Sequence, residues 1–336
     1  MSLTSQLKTA GSPVRQYVEF YAAALAAAKR GTPWGPELQR LLRLADLPPK
    51  EPALPPGVEM RLRGMAGTAF DYRLRLYLGD LGRLEAAKWG ARFAAGANET
   101  YVRRTLSFFA NLKELVRSVD VGDEHLSEDD ERLVCCYCSV LAEFETVFRS
   151  GVYRPTFPSR LTDSPSPYRN EPLLGVAQDP VVDEVVMLSR SVPSAFGPLI
   201  YAVREGVPFV SNPVFAGSGD VGGADADFAI GDALFEVKTG AELNTTELRK
   251  ALLQLVGYVL LDYDDALAIR KLAVYFVRHN WVATWPLWQF VFPLAEVLTY
   301  GADGSEPTEA EVLERLAEGR NGMRAAATAG ELPAEQ

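Results

Sequence analysis

The stretch Gly222-Gly-Ala-Asp-Ala-Asp-Phe-Ala-Ile-Gly-Asp-Ala-Leu-Phe-Glu-Val-Lys238 carries the densest structural signal in the chain. Two short apolar runs, Ala224–Ile230 and Ala233–Thr239, flank Gly231-Asp232, a dipeptide suited to a tight hairpin turn. On the second strand Glu236 and Lys238 are two residues apart and share a face, while Phe235 and Val237 point the other way into a packing layer. Pairing across the turn brings Asp227 near Glu236. Asp225 alternates onto the same face as Asp227 and competes with it, or caps the Gly222-Gly223 turn.

Outward from this hairpin the pattern stays α/β. Val207–Phe215 reads as a preceding strand. Before it, Asp179–Ser189 reads as a helix with Pro180 in its first turn. After the hairpin, Asn244 starts a helix that runs to about Leu261, with Glu247 completing a capping-box-like pair. Leu272–Arg278 and Trp281–Trp285 are two more strand candidates, and the order from Pro180 is helix, three strands, helix, strand, strand. Glu309–Glu318 reads as a short helix and Gly319–Gln336 as a frayed tail. The first half is mainly helical, over Pro13–Lys29, Leu81–Ala95, Glu99–Val119 and Glu128–Phe148. Phe70–Leu78 alternates as a strand would, with a helix as the open alternative. Two proline-rich stretches, Leu47–Gly57 and Gly151–Pro180, read as a loop and as a long loop or connector. The expected organisation is a helical region over 1–150, a connector over 151–179, an α/β domain over 180–300, and a helix with tail over 301–336.

Composition narrows the function. With 336 residues and 48% apolar side chains the chain can build one large or two unequal domains. No run approaches the ~18 apolar residues of a membrane helix, and Met1–Ser12 lacks the apolar stretch of a secretory signal. The three cysteines, Cys135, Cys136 and Cys138, form no disulfide framework, so a reducing cytoplasm is expected. They fall on an apolar helix and read as buried thiols rather than cluster ligands. Two histidines leave little room for histidine-based catalysis or zinc. The net charge of −10 excludes a uniformly basic coat but not a local basic groove. Arg61, Arg63, Arg73, Arg75, Arg103 and Arg104 are groove candidates, or else solvated surface. Gly217–Gly223 lacks the Gly-Lys-Ser/Thr ending of a phosphate loop. Trp281, Trp285 and Trp288 read as core or interface residues. No internal repeat is present.

Two carboxylates held together repel unless a cation joins them. A hard ion such as Mg²⁺ or Mn²⁺ takes carboxylate, carbonyl and water oxygens, so Asp227 and Glu236, with the Val237 carbonyl as a third donor, are the expected metal ligands. Lys238 beside them would orient the attacking water or stabilise charge on a phosphate. The set suffices for metal-assisted phosphodiester hydrolysis. The plainer alternative is a solvated strand face with a minor salt bridge.

With Asp227 followed by Glu236-Val237-Lys238, the chain resembles the PD-(D/E)xK nuclease superfamily, whose fold is restriction-endonuclease-like. Of the eight lysines only Lys238 has an acid two positions before it. Gln254 and Tyr258, four apart on one helix face, are similar to the Gln-x-x-x-Tyr signature of the RecB-type branch. The resemblance covers Asp179–Trp285. It implies an α/β fold with a central mixed sheet flanked by helices, preceded by the mainly helical N-terminal region. It also implies a supporting or substrate-contacting role for Gln254 and Tyr258, a DNA substrate, and a further metal-binding acid upstream at Glu184, with Asp183 as the alternative. The chain departs from the pattern at Ala226, where proline is usual, and shows no convincing upstream histidine of the kind many RecB-type nucleases carry. The expectation is a Mg²⁺- or Mn²⁺-dependent nuclease in repair, recombination or defence. The alternatives are a catalytically silent module of the same fold that binds nucleic acid or protein, and a helical interaction protein.

Overall fold

The structure is a computed structural model that describes residues 2–22, 25, 52–55, 57–80, 84–96, 98–120, 126–150 and 171–329, without the side chains of 301–303. Its helices and strands follow in the order α1 (Leu3–Lys8), α2 (Pro13–Tyr21), α3 (Arg63–Tyr77), α4 (Glu85–Ala95), α5 (Glu99–Ser118), α6 (Glu128–Ser150), α7 (Asp179–Arg204), β1 (Phe209–Ser211), β2 (Phe228–Ile230), β3 (Ala233–Lys238), α8 (Thr245–Leu261), β4 (Lys271–Phe276), β5 (Trp281–Pro286), α9 (Trp288–Val291), α10 (Leu294–Asp303) and α11 (Glu309–Ala329). They form two compact units. A sheet unit gathers Met1–Pro52, Val207–Lys238 and Glu242–Gln336; a helical unit holds Ala53–Gly206 and Thr239–Ala241. This grouping cuts across sequential segments, because α1 and α2 pack with the strands. Among the described residues no helix is long and apolar enough to cross a membrane.

The sheet is mixed, in the order β1-β2-β3-β4-β5. β2 and β3 form the expected hairpin, turned by Gly231 at φ +57°, a left-handed conformation that costs glycine nothing. β3 and β4 are parallel, which requires a long crossover, and α8 supplies it. β4 and β5 return antiparallel. Helix α8 starts where Asn244 accepts hydrogen bonds from the Thr246 and Glu247 amides, each at 3.0 Å. It is apolar nearly all round, as a helix buried on two sides must be. Leu234, Leu272, Val274 and Phe276 of the sheet share one core with α8 residues such as Leu252, Val256 and Val259, and with Leu3, Val14, Val18 and Tyr21 of α1 and α2.

Several elements differ from the sequence reading. Phe70–Leu78 is not a strand but the end of α3. Its alternation has no inside and outside, since Arg73 and Arg75 are buried with the leucines between them. Arg73 makes a bidentate bond to Glu131, at 2.8 and 2.7 Å, and its guanidinium lies 3.6 Å over the Tyr77 ring. That removes Arg73 and Arg75 as groove candidates. β1 is only three residues long, ended by Asn212 at φ +41° and Pro213. β2 likewise starts only at Phe228. α7 continues past Ser189 to Arg204, through Pro193 and Pro198. The expected frayed tail is helical to Ala329, because Gly319 and Gly322 lie directly beneath Tyr21 and Tyr17, where a methyl group would overlap the rings. The proline-rich stretches fall largely outside the described residues. Of the connector, Pro172–Val176 forms a short 3₁₀ turn whose Leu173, Leu174 and Val176 enter the helical core.

Candidate functional site

The site is built on the β2–β3 hairpin. Phe228 pairs with Phe235 as the last rung of the ladder, and Asp227 immediately precedes it. Glu236 and Lys238, two apart on β3, share a face. Asp227 is anchored twice: its carbonyl accepts from the Asn212 amide at 2.9 Å, and its Oδ2 accepts from the Val237 amide at 2.6 Å. The second bond ties the acid to the backbone of the Glu-Val-Lys segment itself.

Glu236 is 5% exposed. This removes the plainer alternative of a solvated strand face: the even-numbered positions of β3, Leu234 and Glu236 among them, look toward α8. A carboxylate buried there needs partners. Its Oε1 accepts from Lys238 Nζ at 2.5 Å and its Oε2 from Gln254 Nε2 at 3.0 Å. The same Gln254 amide donates to Tyr258 Oη at 2.8 Å, using both of its hydrogens. Tyr258 is stacked on Phe215, with ring centroids 5.4 Å apart and planes at 16°. Asp227, Glu236, Lys238, Gln254 and Tyr258, named from sequence, therefore belong to one set of interactions. Sequence reasoning missed Phe215, which sits in a run read only as strand, and Thr4, which hydrogen-bonds Tyr258 across the length of the chain.

The protonation states follow from these contacts. Burial works against the charge on Lys238, but the carboxylates of Glu236, Asp227 and Glu247 outweigh it and hold its pKa above the usual 10.5. Lys238 is thus an ammonium at neutral pH and not a proton acceptor. Burial first, and the Glu236 charge second, push the Tyr258 phenol well above its ordinary range, so Tyr258 is neutral.

Asp225 is tied through its backbone to Val214 in an isolated bridge. Glu184 is on α7 of the helical unit with a buried side chain, whereas the neighbouring Asp183 is at the surface, paired with Arg132 at 2.5 Å. Cys135, Cys136 and Cys138 are buried on α6, and burial pushes the Cys138 thiol up to about 12. Trp285 and Trp288 are buried. Among the described residues no group of three or more His, Cys, Asp or Glu side chains is arranged to hold a metal ion. The chain matches no protein-family model, no curated protein and no solved structure.

The donor set suits a hard cation nonetheless. Two carboxylates and a backbone carbonyl are the ligand types Mg²⁺ accepts when most of its shell stays water. Asp227 is tied to the backbone beside Glu236 through the Val237 amide, and both carboxylates act on the Lys238 charge.

Proposed function

We propose that this chain is a divalent-metal-dependent nuclease with a restriction-endonuclease-like core, acting on DNA in the cytoplasm. One observation carries the reading. An acid just before one strand accepts the backbone amide at the centre of a Glu-x-Lys segment on the next, and the Glu is held by the glutamine of a Gln-x-x-x-Tyr helix. The strand order and the parallel β3–β4 pair joined by α8 support the same reading.

In this proposal Asp227 and Glu236, with the Val237 carbonyl, hold Mg²⁺ or Mn²⁺. When bound, the ion supplies an acidified water and polarises the phosphoryl oxygen. Lys238 carries the positive charge that orients the incoming water or offsets charge developing on the phosphate. Gln254 fixes the Glu236 carboxylate, and Tyr258, neutral and stacked, fixes Gln254. Asp227 is aimed by the Val237 amide. Repair, recombination and defence are the settings in which such an activity serves.

A second reading has one observation in its favour. Both Glu236 oxygens already have partners in Lys238 and Gln254, a set that balances itself without a cation. On that reading the fold is a silent module that binds nucleic acid or protein.

Plasmid nicking separates the two. The nuclease reading expects nicking by wild type with Mg²⁺ or Mn²⁺, and a loss of at least about 100-fold in Lys238→Ala, given what one positioned charge contributes. It also expects Mn²⁺ to raise the melting temperature of wild type and not of Asp227→Ala. Absence of both effects on every DNA and RNA tried leaves the silent module.

A further inference from the structure

Helix α4 is inside out. Its inward face is Ala87, Gly90, Ala91, Ala94 and Ala95, all buried, and Gly90 lies against the Phe144 carbonyl of α6. Its outward face carries Trp89 and Phe93, 48% and 59% exposed, as neighbours with ring centroids 6.3 Å apart. Burying such rings removes a large apolar area from water and is favourable. Among the described residues this helix buries alanine and displays tryptophan, which leaves its aromatic face available to a partner. On the neighbouring α5, Val102 and Leu106 are likewise exposed, at 40% and 66%.

Charge identifies what that partner is. The chain is acidic overall, at −10. Yet α4 and α5 together carry Lys88, Arg92, Arg103, Arg104, Lys113 and Arg117 against only Glu85, Glu99 and Glu114. Lys88 and Arg92 interleave with the two rings on the same stripe, and Arg92 lies 5.6 Å from the Trp89 centroid. Among the described residues Lys88, Arg92 and Arg103 form no ion pair. A basic surface of this kind disfavours a second copy of itself, and it complements a polyanion. Rings presented singly among cations stack only on bases whose faces are open, which a duplex hides.

We propose that the α4–α5 face is a docking surface for single-stranded nucleic acid, in which Trp89 and Phe93 stack on bases and Lys88, Arg92 and Arg103 contact the phosphates. The proposal rests on the nuclease reading for its choice of polymer and adds an unpaired strand as the substrate form. Nothing in the sequence pattern of the catalytic hairpin contains it.

The test is binding of fluorescein-labelled oligothymidylate by the full chain in chelator, where no cleavage intervenes. Trp89→Ala/Phe93→Ala should weaken binding about tenfold or more. Arg92→Gln/Arg103→Gln should weaken it and flatten its dependence on salt. Tryptophan emission should be quenched by oligothymidylate in wild type and less so in Trp89→Phe, and a duplex of equal length should bind more weakly. Alanine favours helix and the replaced side chains are exposed, so circular dichroism should be unchanged. The proposal is overturned if oligothymidylate does not bind, if the aromatic variant binds as wild type does, or if wild type is a dimer that this variant dissociates. Failure to nick plasmid with strand binding intact removes the nuclease reading alone. Nicking with no strand binding removes this surface alone.

Discussion

The ion pair between Glu236 and Lys238 limits what each residue can do. With Lys238 replaced by Met, a carboxylate buried under α8 keeps only the Gln254 bond. Breaking a fully buried pair costs about 3–5 kcal/mol, and the partial exposure of the lysine tip reduces this to roughly 2 kcal/mol. Urea denaturation should show that loss in Lys238→Met, and Glu236→Gln/Lys238→Met should recover most of it. The pH dependence has a definite sign. The folded pKa of Lys238 is raised, so its contribution is complete below the ordinary value of 10.5 and is lost as pH climbs through the raised value. The gap between wild type and Lys238→Met should therefore be flat from neutral pH to about pH 9 and close only in strong alkali. A gap that closes below pH ~9 would assign the effect to another group. The identities of these residues were legible in the sequence, because a lone Glu-x-Lys among eight lysines stands out. The burial of Glu236 was not, since alternation separates two faces without saying what lies on either.

Elements were read well where the signal is local. Asn98 and Asn244 cap α5 and α8 with their side-chain oxygens, and the Gly231 turn sits where the dipeptide required it. At α3 the sequence left strand and helix open, and the structure takes the helix, with Arg73 and Arg75 buried beside the leucines. Reading failed at the end of α11, where glycines that weaken a free helix are the contact that docks this one. Gly90 of α4 is the sharpest case. Alanine there would favour the helix by about 1 kcal/mol, but its methyl would overlap the Phe144 carbonyl. The overlap should dominate, and Gly90→Ala should destabilise the helical unit by about 1–3 kcal/mol. Thermal unfolding followed by circular dichroism checks this, and a stabilised variant would show that α4 stands further from α6.

At the scale of the whole chain, the sheet unit recruits its beginning from far away. Leu3, Val14, Val18 and Tyr21 are buried in the core that backs α8, and Gly257 of α8 meets Leu3 closely. Four such side chains represent about 6–12 kcal/mol of burial, comparable with the whole stability of a domain. A fragment that starts at Pro180, where the sequence suggests a boundary, should bind a hydrophobic dye and unfold without cooperativity. The full chain should do neither. A well-folded fragment would show that α1 and α2 are dispensable. From the sequence come the hairpin, the capped crossover helix, the helical first half and the five residues of the candidate site. The hairpin and the helices rest on turn geometry, capping and periodicity, which act within a few residues, whereas Gln254 and Tyr258 are singled out only by the resemblance to a known family. The burial of Glu236, the outward turn of Trp89 and Phe93, and the docking of α1 and α2 depend on what packs over each position, and only the assembled core supplies those neighbours.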